Sequence, residues 1–444
     1  APSEMCIRDR QKGPAADHQF AASVTATAII VYVVLRLLLA RFADGKSAPR
    51  MLILRMQSEG RGARRDEDLF AGSHGLFAVI QAVAQVLGSD APVFMQGLAL
   101  DVPASQLRWQ QNGTFSALQS AFPIRLAHPT RASDGPVALL SYSTRPCGRD
   151  PAGHDRDQQV FSARTYLATS NAASGEDTQP GLHLAHMRNL VHVQSAREFE
   201  NPTILFDEIA RLYADGCRHI MLLWNHFGAR RIGRGANRHA PHANRRFLGR
   251  LAQDFPDATV YTLSLDVFQA TRVTSRRNLV DRHAFEVFRV REHEAFWNDA
   301  EPNLRDELIA FYTFATLAIV GDEQRRPQSG FCTYFLESSA RASDDLEWSL
   351  AAQTNLIGQK RDSALRDLLL AVLRGMHYLH AQREPKKNGQ LRPCLAPHHW
   401  SDLASAEAAG ELVVMHSRRR GDVVLSLPAV LARVGAVLRA PATT

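Results

Sequence analysis

The order of hydrophobic segments between residues 137 and 265 constrains this chain more than any motif in it. Residues 137–143 (Val-Ala-Leu-Leu-Ser-Tyr-Ser) form a strand pattern, 160–168 a second, and a Ser/Gly/Asp-rich loop over 170–181 leads to a third, 182–193. Asn201 then caps a helix with Pro202 in its first turn, apolar positions at Leu205, Ile209 and Leu212, and Gly216 at its end. A buried strand over 220–224, a helix over 243–255 and a strand over 259–265 complete the series. The first three strands need no helical crossover and form a meander. The fourth and fifth each arrive after a helix and join in parallel. One mixed sheet over 137–265 is expected, with strands two and three antiparallel to strand one, and an all-parallel doubly wound sheet is excluded.

The flanks add a smaller unit and an extension. Residues 51–56 read as a short buried strand, followed by the loop Gly60-Arg61-Gly62-Ala63-Arg64-Arg65. A helix begins after Ser73, carries Leu76, Val79, Ile80, Val83 and Leu87 on one face, and stops at Gly88. With a second strand at 92–98 this makes a βαβ unit, and the polar stretch 129–136 is a boundary. Downstream come strands at 311–320 and 330–336, a long helix at 363–383, and a hairpin pairing 411–416 with 422–427 across Ser417-Arg418-Arg419-Arg420-Gly421. A last apolar helix spans 428–438. Residues 20–35 contain no charge, and Arg36 interrupts the apolar run that follows. Two readings stand: a helix buried against the next domain, or a membrane anchor over 20–42. Residues 1–10 read as sequence foreign to the fold, with the natural N-terminus expected upstream. The expected organisation is an apolar helix in 11–48, a small α/β domain over 49–132 and a larger domain over 133–444.

The element order over 137–265 resembles the RNase H-like fold. A small α/β domain with a basic loop that feeds directly into such a sheet resembles the MID–PIWI half of Argonaute-type proteins, in particular divergent bacterial PIWI proteins. The resemblance covers residues 50–270 and rests on element order, not on a signature string. It implies an α/β architecture, a MID-like βαβ domain followed by an RNase H-like mixed sheet with flanking helices, and a nucleic-acid partner, RNA or DNA.

Composition narrows the class without naming a reaction. With 444 residues, 45% hydrophobic and 22% charged, the chain is neither disordered, collagen-like, a small disulfide scaffold nor a polytopic membrane protein. Lysine and arginine total 52, of which only five are lysine, and the net charge is +7. Arginine excess fits a GC-rich bacterial genome, and it also fits phosphate recognition. Five cysteines lie far apart with no C-x-x-C pair, which points to a reducing, cytosolic compartment and away from structural zinc.

Candidate chemistry follows the sheet. The Gly60–Arg65 loop lacks the endings of a P-loop and of a dinucleotide fold, so ATP and NAD are disfavoured. Under the MID resemblance Arg61, Arg64 and Arg65 would face a terminal phosphate. Alternatively the loop is solvated and ion-paired to Glu59, Asp66, Glu67 and Asp68. The segment Arg230, Arg231, Arg234 and Arg238 directly follows the fourth strand, with no acid from His226 to Arg250, and is the second phosphate candidate. RNase H-like nucleases hold two metal ions between carboxylates on the first strand, the following helix and the end of the fourth strand. Here the first strand offers Ser141, Tyr142 and Ser143, the fourth ends in Asn225-His226, and only the helix supplies acids, Asp207 and Glu208. The expectation is therefore nucleic-acid binding without cleavage and without a cofactor. The alternatives are a Mg²⁺-dependent hydrolase using Asp207, Glu208 and His226, and a membrane-anchored scaffold. Three H-x-x-H pairs, His183/His186, His239/His242 and His377/His380, lack the partners that would complete a metal site.

Overall fold

The computed structural model describes residues 14–41, 50–56, 66–89, 92–99, 114, 118, 121–127, 135–146, 158–171, 181–195, 198, 201–224, 245–270, 286–289, 308–319, 327–337, 351–352, 355–356, 364–381, 383–385, 391–393, 410–417 and 421–439. In chain order these give helix α1 (Pro14–Arg41), strand β1 (Arg50–Met56), α2 (Asp66–Leu87), β2 (Val93–Ala99), β3 (Ile124–Ala127), β4 (Val137–Pro146), β5 (Gln158–Asn171) and β6 (Gly181–Ser195). Then follow α3 (Thr203–Ala214), β7 (His219–Trp224), α4 (Arg245–Asp254), β8 (Thr259–Ala270), β9 (Glu286–Arg289), β10 (Leu308–Ile319) and β11 (Pro327–Glu337). The chain ends with α5 (Ala364–Ala381), β12 (Arg383–Pro385), β13 (Leu391–Pro393), β14 (Glu411–Ser417), β15 (Gly421–Ser426) and α6 (Leu427–Arg439).

Nine of the described strands form one sheet in the order β3-β6-β5-β4-β7-β8-β11-β10-β9. Its centre, β6-β5-β4-β7-β8, is the RNase H-like arrangement: β4–β5 and β5–β6 are antiparallel, whereas β4–β7 and β7–β8 are parallel. One expected direction is corrected. The third strand, β6, is antiparallel to β5 and therefore runs the same way as β4, because each reversal in a meander restores the direction of two strands earlier. Only β5 opposes β4.

Apolar residues alternate along these strands, and both faces are covered, as a central parallel strand requires. On one face Leu140, Tyr142, Leu222 and Trp224 pack under Leu205, Ile209 and Leu212 of α3 and Phe247 and Leu251 of α4. On the other, Leu139, Tyr166, Met221 and Leu263 pack under Leu369, Val372, Leu373 and Met376 of α5. A third core lies beside the sheet. There α2 packs on the parallel β1–β2 pair and meets α1 and α6 through Ala28, Tyr32, Val83, Leu427 and Leu431.

Several boundaries moved from where the sequence put them. Helix α2 starts at Asp66, not after Ser73, so the acids 66–68 form its first turn, where the helix dipole favours them. Strand β8 runs on to Ala270 and β11 begins earlier, at Pro327, than expected, where the two pair antiparallel from Ala270/Ser329 to Leu263/Leu336. Short strands β3, β9, β12 and β13 had no pattern of their own and exist through pairing.

Candidate nucleic-acid interface

β4 connects to β5 on one side of the sheet, and β7 leads through α4 to β8 on the other. The chain thus leaves the carboxyl ends of β4 and β7 in opposite directions, the topological switch point at which ligands of open α/β sheets bind. In register, Ser141 lies opposite Leu223 and Tyr142 opposite Trp224. β7 is described as far as Trp224, β4 as far as Pro146 and β8 as far as Ala270. At the described carboxyl end of the β4–β7 pair, Tyr142, Ser143 and Trp224 are all buried. Tyr142 stacks on Phe161 with ring centroids 5.6 Å apart, which fixes it in the core. No carboxylate occupies the strand positions at which a two-metal site would start.

The helix acids are elsewhere. Asp207 is exposed on the outer side of α3. Glu208, on the inner side, has no exposed side-chain surface and sits over β5 and β6, on the far side of β4 from β7. Thr165 Oγ1 donates to its Oε1 at 2.7 Å, Arg211 donates to Oε2 and Oε1 at 3.1 and 2.8 Å, and Arg188 forms a charged hydrogen bond to Oε2. Burial pushes the Glu208 carboxyl up, but the hydrogen bonds from Arg211, Arg188 and Thr165 outweigh it and hold the group below the usual carboxylate range. Both oxygens are thus committed to two guanidinium groups, and a pair of divalent cations does not fit these residues. Among the described residues, no group of three or more His, Cys, Asp or Glu could hold a metal ion. His226 lies outside the described residues.

The arginine candidates are located by connectivity alone. Arg61, Arg64 and Arg65 join the carboxyl end of β1 to the first turn of α2, and Arg230, Arg231, Arg234 and Arg238 follow the end of β7. All seven lie outside the described residues. Of the histidine pairs, His239 and His242 also lie outside them. His186 is half-buried beside Tyr166 (ring centroids 5.3 Å) and Phe94 (5.4 Å).

One feature of the sheet was invisible in the sequence. Between Thr165/Arg188 and Tyr166/His186 the register shifts by one residue, a β-bulge in β6. Before the bulge His186 packs against Tyr166, and after it Asn189 turns to α2. The Asn189 amide N–H donates to the Gly88 carbonyl at 2.8 Å and its Nδ2 to the Ala84 carbonyl at 3.4 Å. Its Oδ1 then accepts from His186 Nε2 at 2.9 Å, which assigns the Nε2–H tautomer. This chain of bonds attaches the small α/β unit to the large sheet. No run of polar residues announces it, since each residue is ordinary in a strand.

No family model matches the chain, and no curated protein sequence matches it. Among solved structures, the MID–PIWI domains of the N. crassa QDE-2 AGO protein align at 9% identity with a TM-score of 0.30. That alignment covers 52% of this chain and 59% of that one, so the chain spans little more than half the length of its structural neighbour. The RNase H-like assignment therefore rests on the strand order and directions of the sheet itself.

Proposed function

We propose that this chain is a PIWI-like nucleic-acid-binding protein whose RNase H-like sheet holds a strand without cutting it. The observation that carries the reading is the ion-pairing of Glu208 to Arg188 and Arg211, beside a first strand that offers Ser141, Tyr142 and Ser143 instead of an acid. Among the described residues, no set of carboxylates for two-metal phosphodiester cleavage is present. Binding needs none. The acid-free arginine segment 230–238 leaves β7 at this end of the sheet, and its glycines let the backbone approach a phosphodiester chain. The loop carrying Arg61, Arg64 and Arg65 also follows a parallel strand, but it runs into Asp66, Glu67 and Asp68, which compete with a phosphate. The 230–238 segment is accordingly the principal contact.

Titration of the full chain with single-stranded oligonucleotides at several salt concentrations tests this. Log affinity is expected to fall linearly with log salt, and Arg231→Gln with Arg234→Gln should reduce the slope by about 1.5, weakening all sequences alike. An unchanged slope in the double variant removes the assignment. Divalent-dependent cleavage that disappears in Glu208→Gln favours the hydrolase instead.

A further inference from the structure

Neither the sheet nor the arginine segments use the outer face of α1. This helix is apolar around its whole circumference rather than along one stripe, a pattern that calls for cover on every side. Its inner side has that cover, since Val24, Ala28, Tyr32 and Leu35 are buried against the third core. On the opposite side Ile30, Val34, Leu37 and Leu38 recur at i, i+4, i+7 and i+8, with exposures of 63, 48, 66 and 44%. The two sequence readings of this segment therefore each describe one face. α6 crosses α1 at Gly435, where a Cβ would come within 2.6 Å of Tyr32 Oη. In the turn after that crossing Val437 and Leu438 are 74 and 50% exposed. A stripe of large exposed apolar side chains along one helix marks an interaction site.

Charge identifies what covers it. From Gln19 to Arg41 α1 contains no acid, and α6 contains none at all. Arg36 does not interrupt the outer stripe, because its Nη1 turns inward and donates to Tyr32 Oη at 3.0 Å and to the Gly435 carbonyl at 3.4 Å. Arg41 and Arg439 stand in the last turns of the two helices, and Arg50 donates to the Leu39 carbonyl at 3.3 Å. Apolar side chains bordered by arginines and free of carboxylates complement an anionic lipid surface: the aliphatic groups enter the acyl boundary and the guanidinium groups reach phosphates.

We propose that α1, with the last turn of α6, is a docking surface for anionic bilayers, the helix lying in the interface plane with its inner face still packed on the protein. The inference is independent of the nucleic-acid reading. Flotation of the full chain with phosphatidylcholine vesicles, with and without phosphatidylserine, tests it. Binding is expected only with the anionic lipid and should weaken as salt rises. Ile30→Ser with Val34→Ser and Leu37→Ser should lower it by at least about tenfold, while circular dichroism and thermal unfolding stay close to the parent because these side chains are exposed. Arg41→Gln and Arg439→Gln should each cost about fivefold. Release of the bound protein by alkaline carbonate is expected for in-plane docking. Absence of flotation, equal flotation with neutral lipid, insensitivity to the triple serine variant, or resistance to carbonate each overturns the proposal. A stable dimer that the triple variant dissociates, without flotation, assigns the face to a second copy instead.

Discussion

Glu208 holds a negative charge at a position with no exposed side-chain surface, and its partners Arg188 and Arg211 are themselves 29 and 32% exposed. Removing the charge leaves two guanidinium groups facing a neutral amide. Glu208→Gln is expected to cost about 2–3 kcal/mol in urea denaturation, less than for a fully buried pair because water screens the arginines. Unchanged stability would mean that the network holds nothing. Because the folded carboxyl titrates below the unfolded one, this contribution is complete above the unfolded value and fades as pH falls through the folded one. His186 acts in a higher window. Burial, reinforced by Arg164, lowers it to about 3, so it is neutral at pH 7 and must gain a proton to match the unfolded chain in acid. Its contribution is present above about pH 6.5 and declines by about 1.4 kcal/mol per pH unit below that, toward the folded value. Stability measured between about pH 6.5 and 5 should therefore fall by about 2 kcal/mol more in the parent than in His186→Gln. Parallel pH profiles would refute the assignment.

At the scale of elements, the same substitution should have opposite signs at two glycines. Gly88 ends α2 where β6 passes closest, and a Cβ there would lie 2.4 Å from Asn189 Nδ2 and 3.0 Å from the Ala84 carbonyl. Gly88→Ala must displace the Asn189 side chain from its bonds to α2 and His186 and is expected to destabilise by about 1–3 kcal/mol. Gly249, inside α4, has no atom within 4 Å of its would-be Cβ. Gly249→Ala should stabilise by about 0.5–1 kcal/mol, since the helix loses less backbone entropy. Thermal unfolding of the two variants decides the matter, and equal shifts would show that the α2–β6 approach is not tight.

Across the whole molecule, the last helix completes a core begun by the first. Leu427 and Leu431 of α6 are fully buried with Tyr32 of α1 and Val83 of α2, hundreds of residues away in sequence. Leu431→Ala is expected to cost about 2–4 kcal/mol, and its effect should appear in the N-terminal unit as faster hydrogen exchange in α2. Faster exchange confined to α6 would mean that the two ends of the chain are not coupled.

The sequence by itself determined the type and order of the central elements. Continuous or alternating apolar runs such as 137–143 and 220–224, and the Asn201-Pro202 start of α3, are local signals that survive in any tertiary context. It also determined that the first strand carries Ser141, Tyr142 and Ser143 where an acid would be required. Strand ends and edge strands were not legible, because β8 and β11 lengthen, and β3 and β9 exist, through hydrogen bonds to partners distant in sequence. Nor was the bulge in β6, which changes which side chain faces α2 without altering composition. The role of Glu208 belonged to tertiary structure as well. A carboxylate on a helix can bind a metal or an arginine, and only the arrival of Arg188 from β6 and Thr165 from β5 decided which. The uniformly apolar α1 could be read as buried or as membrane-bound for the same reason: hydrophobicity says that a surface must be covered, and only the fold shows which half the protein covers itself.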